Sequence, residues 1–458
     1  MTPQVCPDIT ADLPQLEAIP AFAEAEFVAV CALWSDQGMA HLVEIYEKGG
    51  NGVTPSALVL IDFGTEIHFK SRVLKNALVA PAVNYVVARL QDQVNGGKTP
   101  RLDYVVVSHQ DTDHWSMLNY LMDAIEAQTW KDNFKVGKIC RGGLDWGKSA
   151  KKCLTRLAGY VADASTDYVP WTTNITNYAD PDEDPGQAFN IGNVVFRILT
   201  VNAPISSKKA DLKKNGTSAV IVVEFAGRNY VLPGDATYET LKDANKYLKK
   251  WADEGKTPLQ PCFCLSVPHH GSLRTIVPNY KATELDFAIV REFTAYLKPH
   301  STIASAGIRN GFRHPYLEVL LEFSKFVGND VNLTHQIVFF SNEKQDWGSF
   351  VLTGLLFTTQ LTLQLPIKAA DWRFAMNEAG HTYITSLVFD GITKEVAIER
   401  AKAAAELEKD DDELASSRQA GTDFRPQGIN FRTPPDQKRP RFTPPPARAV
   451  AQPMWGTP

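Results

Sequence analysis

The sequence predicts an α/β fold in which two layers of strands lie between two layers of helices. Two observations carry this expectation. From Glu26 to about Ser341, short apolar runs rich in β-branched residues alternate with segments of helical periodicity. A double layer of strands flanked by helices covers the apolar faces of all of them. Several apolar runs also stop abruptly on polar loops: 102–107 leads into His109-Gln-Asp-Thr-Asp-His114, and Cys262-Phe-Cys-Leu-Ser-Val leads into Pro268-His269-His270. A loop leaving a buried strand in this way brings several side chains into one small space.

Element by element, residues 1–24 form an acidic lead-in broken by prolines. Helices are predicted over 72–93, 115–128, 148–162, 238–254 and 316–326. The segment Gly216–Asp235 reads as two strands joined by an Ala-Gly-Arg-Asn turn. An insertion over 165–188, containing Asp180-Pro-Asp-Glu-Asp-Pro, is expected as a lid. The main domain is therefore placed at 25–345. A β-rich extension over 346–390 is expected as an added sheet or dimerisation surface, and 391–416 as an exposed helix. The tail 417–458 is basic and Pro-rich with almost no aliphatic content; it cannot offset the entropy of ordering and is expected to be disordered. No internal repeat is present.

Composition narrows the class. With 44% hydrophobic residues in 458, the chain can bury a full core, and length alone allows two to three domains. No apolar run approaches the ~20 residues that span a bilayer. The N-terminus lacks a basic region and an apolar core, and the six cysteines are scattered without zinc-finger spacing, so a cytoplasmic location is expected. A net charge of −5 excludes a surface coated with phosphate-binding positives. It leaves room for a local track: Lys208-Lys-Ala-Asp-Leu-Lys-Lys214 either borders the site or is a solvated loop.

Four candidate ligands, His109, Asp111, Asp113 and His114, fall within six residues. Imidazole and carboxylate together suit a divalent transition metal, and two such pairs suit two metals side by side. The competing reading makes Asp113 a helix N-cap. Three later segments add what the loop lacks: Gly234-Asp235 at a strand end, His269-His270, and His314-Pro315, with Pro315 opening a helix.

With these segments the chain resembles the metallo-β-lactamase fold, in the branch found as the soluble domain of ComEC-type DNA-uptake competence proteins. The resemblance rests on six ordered matches over about 28–340: Asp36-Gln-Gly-Met-Ala40, Leu58-Val-Leu-Ile-Asp62-Phe-Gly64, the His-x-Asp-x-Asp-His loop, Asn215 and Ser218 ahead of Gly234-Asp235, His-His-Gly-Ser, and His314-Pro315. It implies a four-layered αββα metallo-β-lactamase-like sandwich. It also implies a metal-dependent phosphodiesterase or nuclease acting on DNA or another nucleotide substrate. The departures are Trp115-Ser116-Met117 where the family has Gly-Gly, and Met39 where it has aspartate. Asp111 and Asn215 stand where many members have histidine. These oxygen donors shift preference toward manganese or magnesium and away from a tightly held zinc.

The expected layout has two divalent ions, zinc or manganese with magnesium as the alternative, activating a water between them. His109 and Asp111 hold the first. Asp113, His114 and one of His269 and His270 hold the second, because strand alternation sends adjacent side chains to opposite faces. Asp235 bridges both. His314 protonates a leaving oxygen or grips a non-bridging one, and Asp113 is the essential catalytic carboxylate. Asp62 either orients a ligand histidine or anchors a turn, with Asn215 and Ser218 as further supports. His41, His68, His300, His335 and His381 match no motif, and Trp146 is core or a base-stacking platform. Alternatives are hydrolysis of a small ester (cyclic nucleotide, lactone or thioester) and a scaffold that recruits partners through the tail. The expected partners are nucleic acid, a protein bound by the tail, and a second copy in a homodimer.

Overall fold

Strand β3 (Ala57–Phe63) is buried at all seven positions, and its alternation shows how the layers are built. Ala57, Val59 and Ile61 point into one apolar cluster, whereas Leu58, Leu60 and Phe63 point into another. A strand buried on both faces lies inside the stack, with a second sheet on one side and helices on the other. The computed structural model describes residues 22–35, 37–66, 72–161, 169–170, 187–207, 209–255, 262–306, 312–325, 334–341, 343–344, 346–353, 356–358 and 371–387. All of them belong to one unit, Met1–Leu407.

The first sheet contains β1 (Ala25–Ala32), β2 (Ala40–Glu47), β3, β4 (Arg101–Val107), β5 (Lys135–Arg141) and β6 (Val169–Pro170). The second contains β7 (Gln187–Ile191), β8 (Val194–Thr200), β9 (Val220–Phe225), β10 (Arg228–Leu232), β11 (Cys262–Ser266) and β12 (Ser301–Ala304). Within each sheet, early antiparallel pairings give way to parallel ones: β3 with β4 and β5, and β10 with β11 and β12. Helices α1 (Arg72–Asn95), α2 (Met117–Glu126) and α3 (Lys148–Ala158) cover the first sheet. Between β8 and β9 lies the short α4 (Ala210–Gly216). Helices α5 (Tyr238–Asp253), α7 (Ala288–Leu297) and α8 (Leu317–Ser324) cover the second sheet, and the one-turn α6 (Leu273–Ile276) follows the paired histidines. This is the expected αββα order. The C-terminal ends of the parallel strands β3, β4, β10, β11 and β12 converge at one edge, the usual place for a site in such a sheet.

Downstream, the strands are distributed over three sheets. Strands β13 (Thr334–Ser341) and β14 (Asp346–Thr353) pair with each other, so a boundary at 345/346 falls inside a hairpin. Strand β15 (Leu356–Thr358) extends the second sheet beside β12. Strands β16 (Asp371–Asn377) and β17 (Thr382–Leu387) extend the first, β16 running antiparallel to β1 from Phe27↔Asn377 to Ala32↔Trp372. An unpaired β1 edge would leave a row of backbone donors and acceptors open, and β16 satisfies them. Trp372, Phe374 and Met376 also alternate into the inter-sheet core. Most of the expected lid, the helix over 391–416 and the tail lie outside the described residues, as do residues 1–21.

Candidate metal centre

Sequence dictates the first piece of the site. Strand β4 ends at Val107, and the following residues turn over a tight 3-10 segment, Thr112–His114. That turn presses on Gly64, where a Cβ would lie 2.4 Å from the backbone of Asp113, His114 and Trp115, so only glycine fits. Trp115 directly follows the ligand loop. Its indole is buried in the α1–α3 core and donates from Nε1 to the Gln110 carbonyl at 3.0 Å. The N-cap reading of Asp113 is set aside: α2 starts later, at Met117, and no side chain caps either helical segment.

Instead, Asp113 turns inward. Asp113, His114, Asp235 and His270 are all buried, and each offers a ligand atom within 4.8 Å of the others. His270 Nε2 lies 3.1 Å from Asp113 Oδ2 and 3.5 Å from Asp235 Oδ1. His114 Nε2 lies 3.1 Å from Asp235 Oδ1 and 3.9 Å from Asp113 Oδ1. The other carboxylate oxygen, Asp235 Oδ2, faces a different pair: His269 Nε2 at 3.3 Å and His109 Nε2 at 3.7 Å. Asp111 Oδ2 is 3.9 Å from His109 Nε2. Asp235 thus stands between an inner group (Asp113, His114, His270) and an outer group (His109, Asp111, His269).

Of the paired histidines, His270 belongs to the buried group, while His269 Nε2 faces the other oxygen of Asp235. Strand β11 ends at Ser266, and both histidines lie beyond it in a turn with left-handed backbone, φ 44° and 52°. Asp62, at the end of β3, has φ 48°. Such conformations cost about 1 kcal/mol or more per non-glycine residue; here they turn His269 and His270 toward Asp235 and set Asp62 behind His114.

The supporting contacts define which ring nitrogens face the centre. His270 Nδ1 donates to the Ser305 carbonyl at 2.6 Å. His114 Nδ1 donates to Asp62 Oδ2 at 2.8 Å. Ser108 fixes Asp62 from its backbone N at 2.7 Å and its hydroxyl at 2.8 Å. With Nδ1 engaged in this way, each Nε2 faces carboxylate oxygens, an arrangement that requires a cation or a proton between nitrogen and oxygen. His109 Nε2, His114 Nε2 and Asp235 Oδ1 are buried without a hydrogen-bond partner. Buried polar atoms in that condition are costly unless a cation or proton lies between them. The donor set therefore fits a divalent cation, with Asp113, His114, His270 and Asp235 as its ligands.

The titration behaviour follows the same logic. Burial opposes charging His114, yet the carboxylates of Asp235, Asp62 and Asp113 hold it well above the ordinary imidazole value. Burial likewise opposes ionisation of Asp235, and His269, His114 and His270 nevertheless hold it well below the usual carboxylate range. His314 behaves oppositely: burial, then the neighbouring His269 and His270, press it well below its usual value, leaving a neutral ring. Its Nδ1 lies 3.4 Å from Gln37 Nε2, and its ring centroid is 5.4 Å from that of His269.

At the mouth, the Asn215 amide is 3.4 Å from the His269 ring nitrogens, and Ser218 Oγ accepts from the Asp235 backbone N at 3.2 Å. Lys214 Nζ stands 3.8 Å from Asp111 Oδ1, so the lysine run does border the site. Sequence reasoning missed Ser108, Gln37, the Ser305 carbonyl and Glu66. Burial, then Asp113 and Asp111, push the Glu66 carboxyl up to about 7. Gln37 and Ser108 sit within or beside the ligand-bearing motifs, and that proximity was the available signal. Trp146 is buried and donates to the Gly142 carbonyl, so it is core. His41 is buried against Tyr230, with its pKa lowered to about 4 by desolvation.

No family profile matches the chain. In sequence it is similar to ComE operon protein 3 of Bacillus subtilis (strain 168), 24% identical over 221 residues. That stretch is 48% of this chain and only 22% of the relative's length. Among solved structures it is similar to the metallo-beta-lactamase fold protein YhfI from Bacillus subtilis, with a TM-score of 0.38, 10% identity, and coverage of 76% of this chain and 99% of the other. The chain therefore has αββα layers with ligand loops at the ends of β4, β10 and β11, the arrangement of a metallo-β-lactamase-like sandwich, and over about half its length it is similar in sequence to ComE operon protein 3.

Proposed function

We propose that this chain is a metal-dependent phosphodiesterase that hydrolyses DNA or another nucleotide polymer. The observation that carries the hydrolase reading is the convergence of unpartnered His109 Nε2, His114 Nε2 and Asp235 Oδ1 on one buried centre. The resemblance of the motifs to ComEC-type domains supports the nucleotide substrate. A divalent cation held there supplies Lewis-acid stabilisation of developing negative charge and makes water acidic near neutral pH.

In this reading the inner group binds one cation, and His109, Asp111 and His269 bind a second across Asp235. The outer group, supported by Asn215, favours manganese or magnesium, and the histidine-rich inner group zinc or manganese. Asp113 orients the water that attacks phosphorus. Gln37 Nε2 donates to His314 Nδ1, so the neutral ring presents Nε2–H to a non-bridging phosphate oxygen. Lys214 adds a positive charge at the mouth. The buried thiols of Cys31, Cys140, Cys153, Cys262 and Cys264, all free, support a cytoplasmic setting. Among the described residues no helix is long and apolar enough to cross a membrane.

The test is hydrolysis of single- and double-stranded DNA by the full chain with manganese, magnesium or zinc, with metal content measured by elemental analysis. Asp113→Ala is expected to lower the rate by about 10³-fold or more, roughly 4 kcal/mol of barrier. Bound metal without cleavage of any phosphodiester would overturn the proposal in favour of a small lactone or thioester.

A further inference from the structure

Outside the centre, the largest departure from an otherwise acidic chain is a strip of lysines around Tyr280. Lys209 Nζ lies 5.4 Å from the Tyr280 ring centroid and Lys281 Nζ 5.8 Å from the same ring. Lys209 is the N-cap of α4, and Lys213 lies four residues on, in its last turn. One residue further, Lys214 reaches Asp111 at the mouth of the centre. All four lysines are exposed, and among the described residues Lys209, Lys213 and Lys281 make no ion pair. Gathering exposed ammonium groups around one aromatic ring, in a protein of net charge −5, concentrates positive charge where an anionic ligand is favoured.

Beyond Tyr280 the adjoining cavity of about 440 Å³ has mixed charge, lined by Glu239 and Asp243 together with Lys242 and Lys246. The strip starts at the centre, where Lys214 meets Asp111. Lys209 and Lys214 are about 7.5 Å apart along the helix. With half-buried Tyr280 and Lys281 added, the strip joins exposed positive charge to an aromatic ring, the combination that grips a single strand.

Resting on the phosphodiesterase reading, we propose that α4 and Tyr280 form a track for single-stranded nucleic acid, so that the site prefers strands reaching several nucleotides beyond the cut. The track holds the flanking phosphates while the centre acts on one, and a substrate with no flanking nucleotides gains nothing from it.

The test compares wild type with the triple variant Lys209→Glu/Lys213→Glu/Lys281→Glu and with Tyr280→Ala, all in the full manganese-loaded chain. Substrates are bis(p-nitrophenyl) phosphate and single-stranded DNA of two to sixteen nucleotides. The triple variant is expected to lose about 100-fold in kcat/KM on the 16-mer and nothing on the small diester. Fluorescence anisotropy of a labelled 16-mer, with calcium in place of manganese, reads binding without turnover. There the slope of log K against log salt should fall by about 2, at about 0.7 for each phosphate no longer neutralised by a lysine. Lys→Arg at the three positions should restore binding. An equal loss on both substrates, or unchanged binding and slope, overturns the track. Failure of the wild type to hydrolyse any diester while still binding the 16-mer through these lysines overturns the catalytic reading and leaves the track standing.

Discussion

The two groups on either side of Asp235 have similar chemistry and different surroundings. The inner one, Asp113, His114 and His270, is buried, and both of its rings are held from behind by an acceptor, Asp62 or the Ser305 carbonyl. The outer one includes Asp111, whose side chain is 30% exposed and shared with Lys214, and His269, which is backed only by the long Asn215 interaction. Ligands held in one orientation and kept from water bind a cation more tightly than ligands that must be gathered at a wet mouth. On the proposed two-cation reading, the inner position is thus expected to retain its metal and the outer to exchange.

The largest effect should come from separating the groups. His270→Ala is expected to strip the tightly held metal and abolish hydrolysis, whereas His269→Ala should keep about one equivalent through a desalting column. Equal metal loss in both variants, by elemental analysis, would show that the two positions do not differ. Next in size, Asp62→Asn should weaken the inner metal by about 10–100-fold in a competition titration with a chromophoric chelator. The same titration on Asn215→Ala should move only the weaker site. If Asp62→Asn changes nothing, orientation of His114 is not what makes the inner group tight.

The smallest effect comes from a buried carboxylate at the opposite end of β4. Asp103 accepts from the Leu58 backbone N at 2.9 Å and pairs with Arg101, but burial dominates and raises its carboxyl from 3.8 to about 6. With no histidines facing it, it goes the opposite way from Asp235. A folded-state value above the unfolded one means that the folded chain binds the proton more tightly between about pH 4 and 6, so stability falls as pH rises across that window. Asp103→Asn should flatten that limb of the urea midpoint measured at pH 4.5 and 6.5.

Much of this was legible along the chain. The ligand-rich run His109–His114, the strand-then-loop pattern at Asp62, Asp235 and His269-His270, and the α/β alternation are local signals, and from them the fold brings Asp113, His114, Asp235 and His270 into one buried cluster. Local patterns fail where the backbone leaves its regular geometry. Period-two alternation separates His269 from His270, but both lie past the strand in left-handed conformations that no pattern encodes. The residues 371–387 looked like an addition because their partner, β1, lies more than 300 positions earlier.

By itself, then, the sequence determined the kinds of ligand, their order and their attachment to strand ends, because donor chemistry and hydrophobic period are properties of neighbouring residues. Only the tertiary structure decided which ring meets which oxygen of Asp235, that Ser108 and Asp62 stand behind His114, and that Lys209 and Lys281 meet at Tyr280. Those pairings join stretches of chain that are far apart. They depend on where the packed sheets bring each strand end and on a few strained φ angles, and neither is written in any short run of residues.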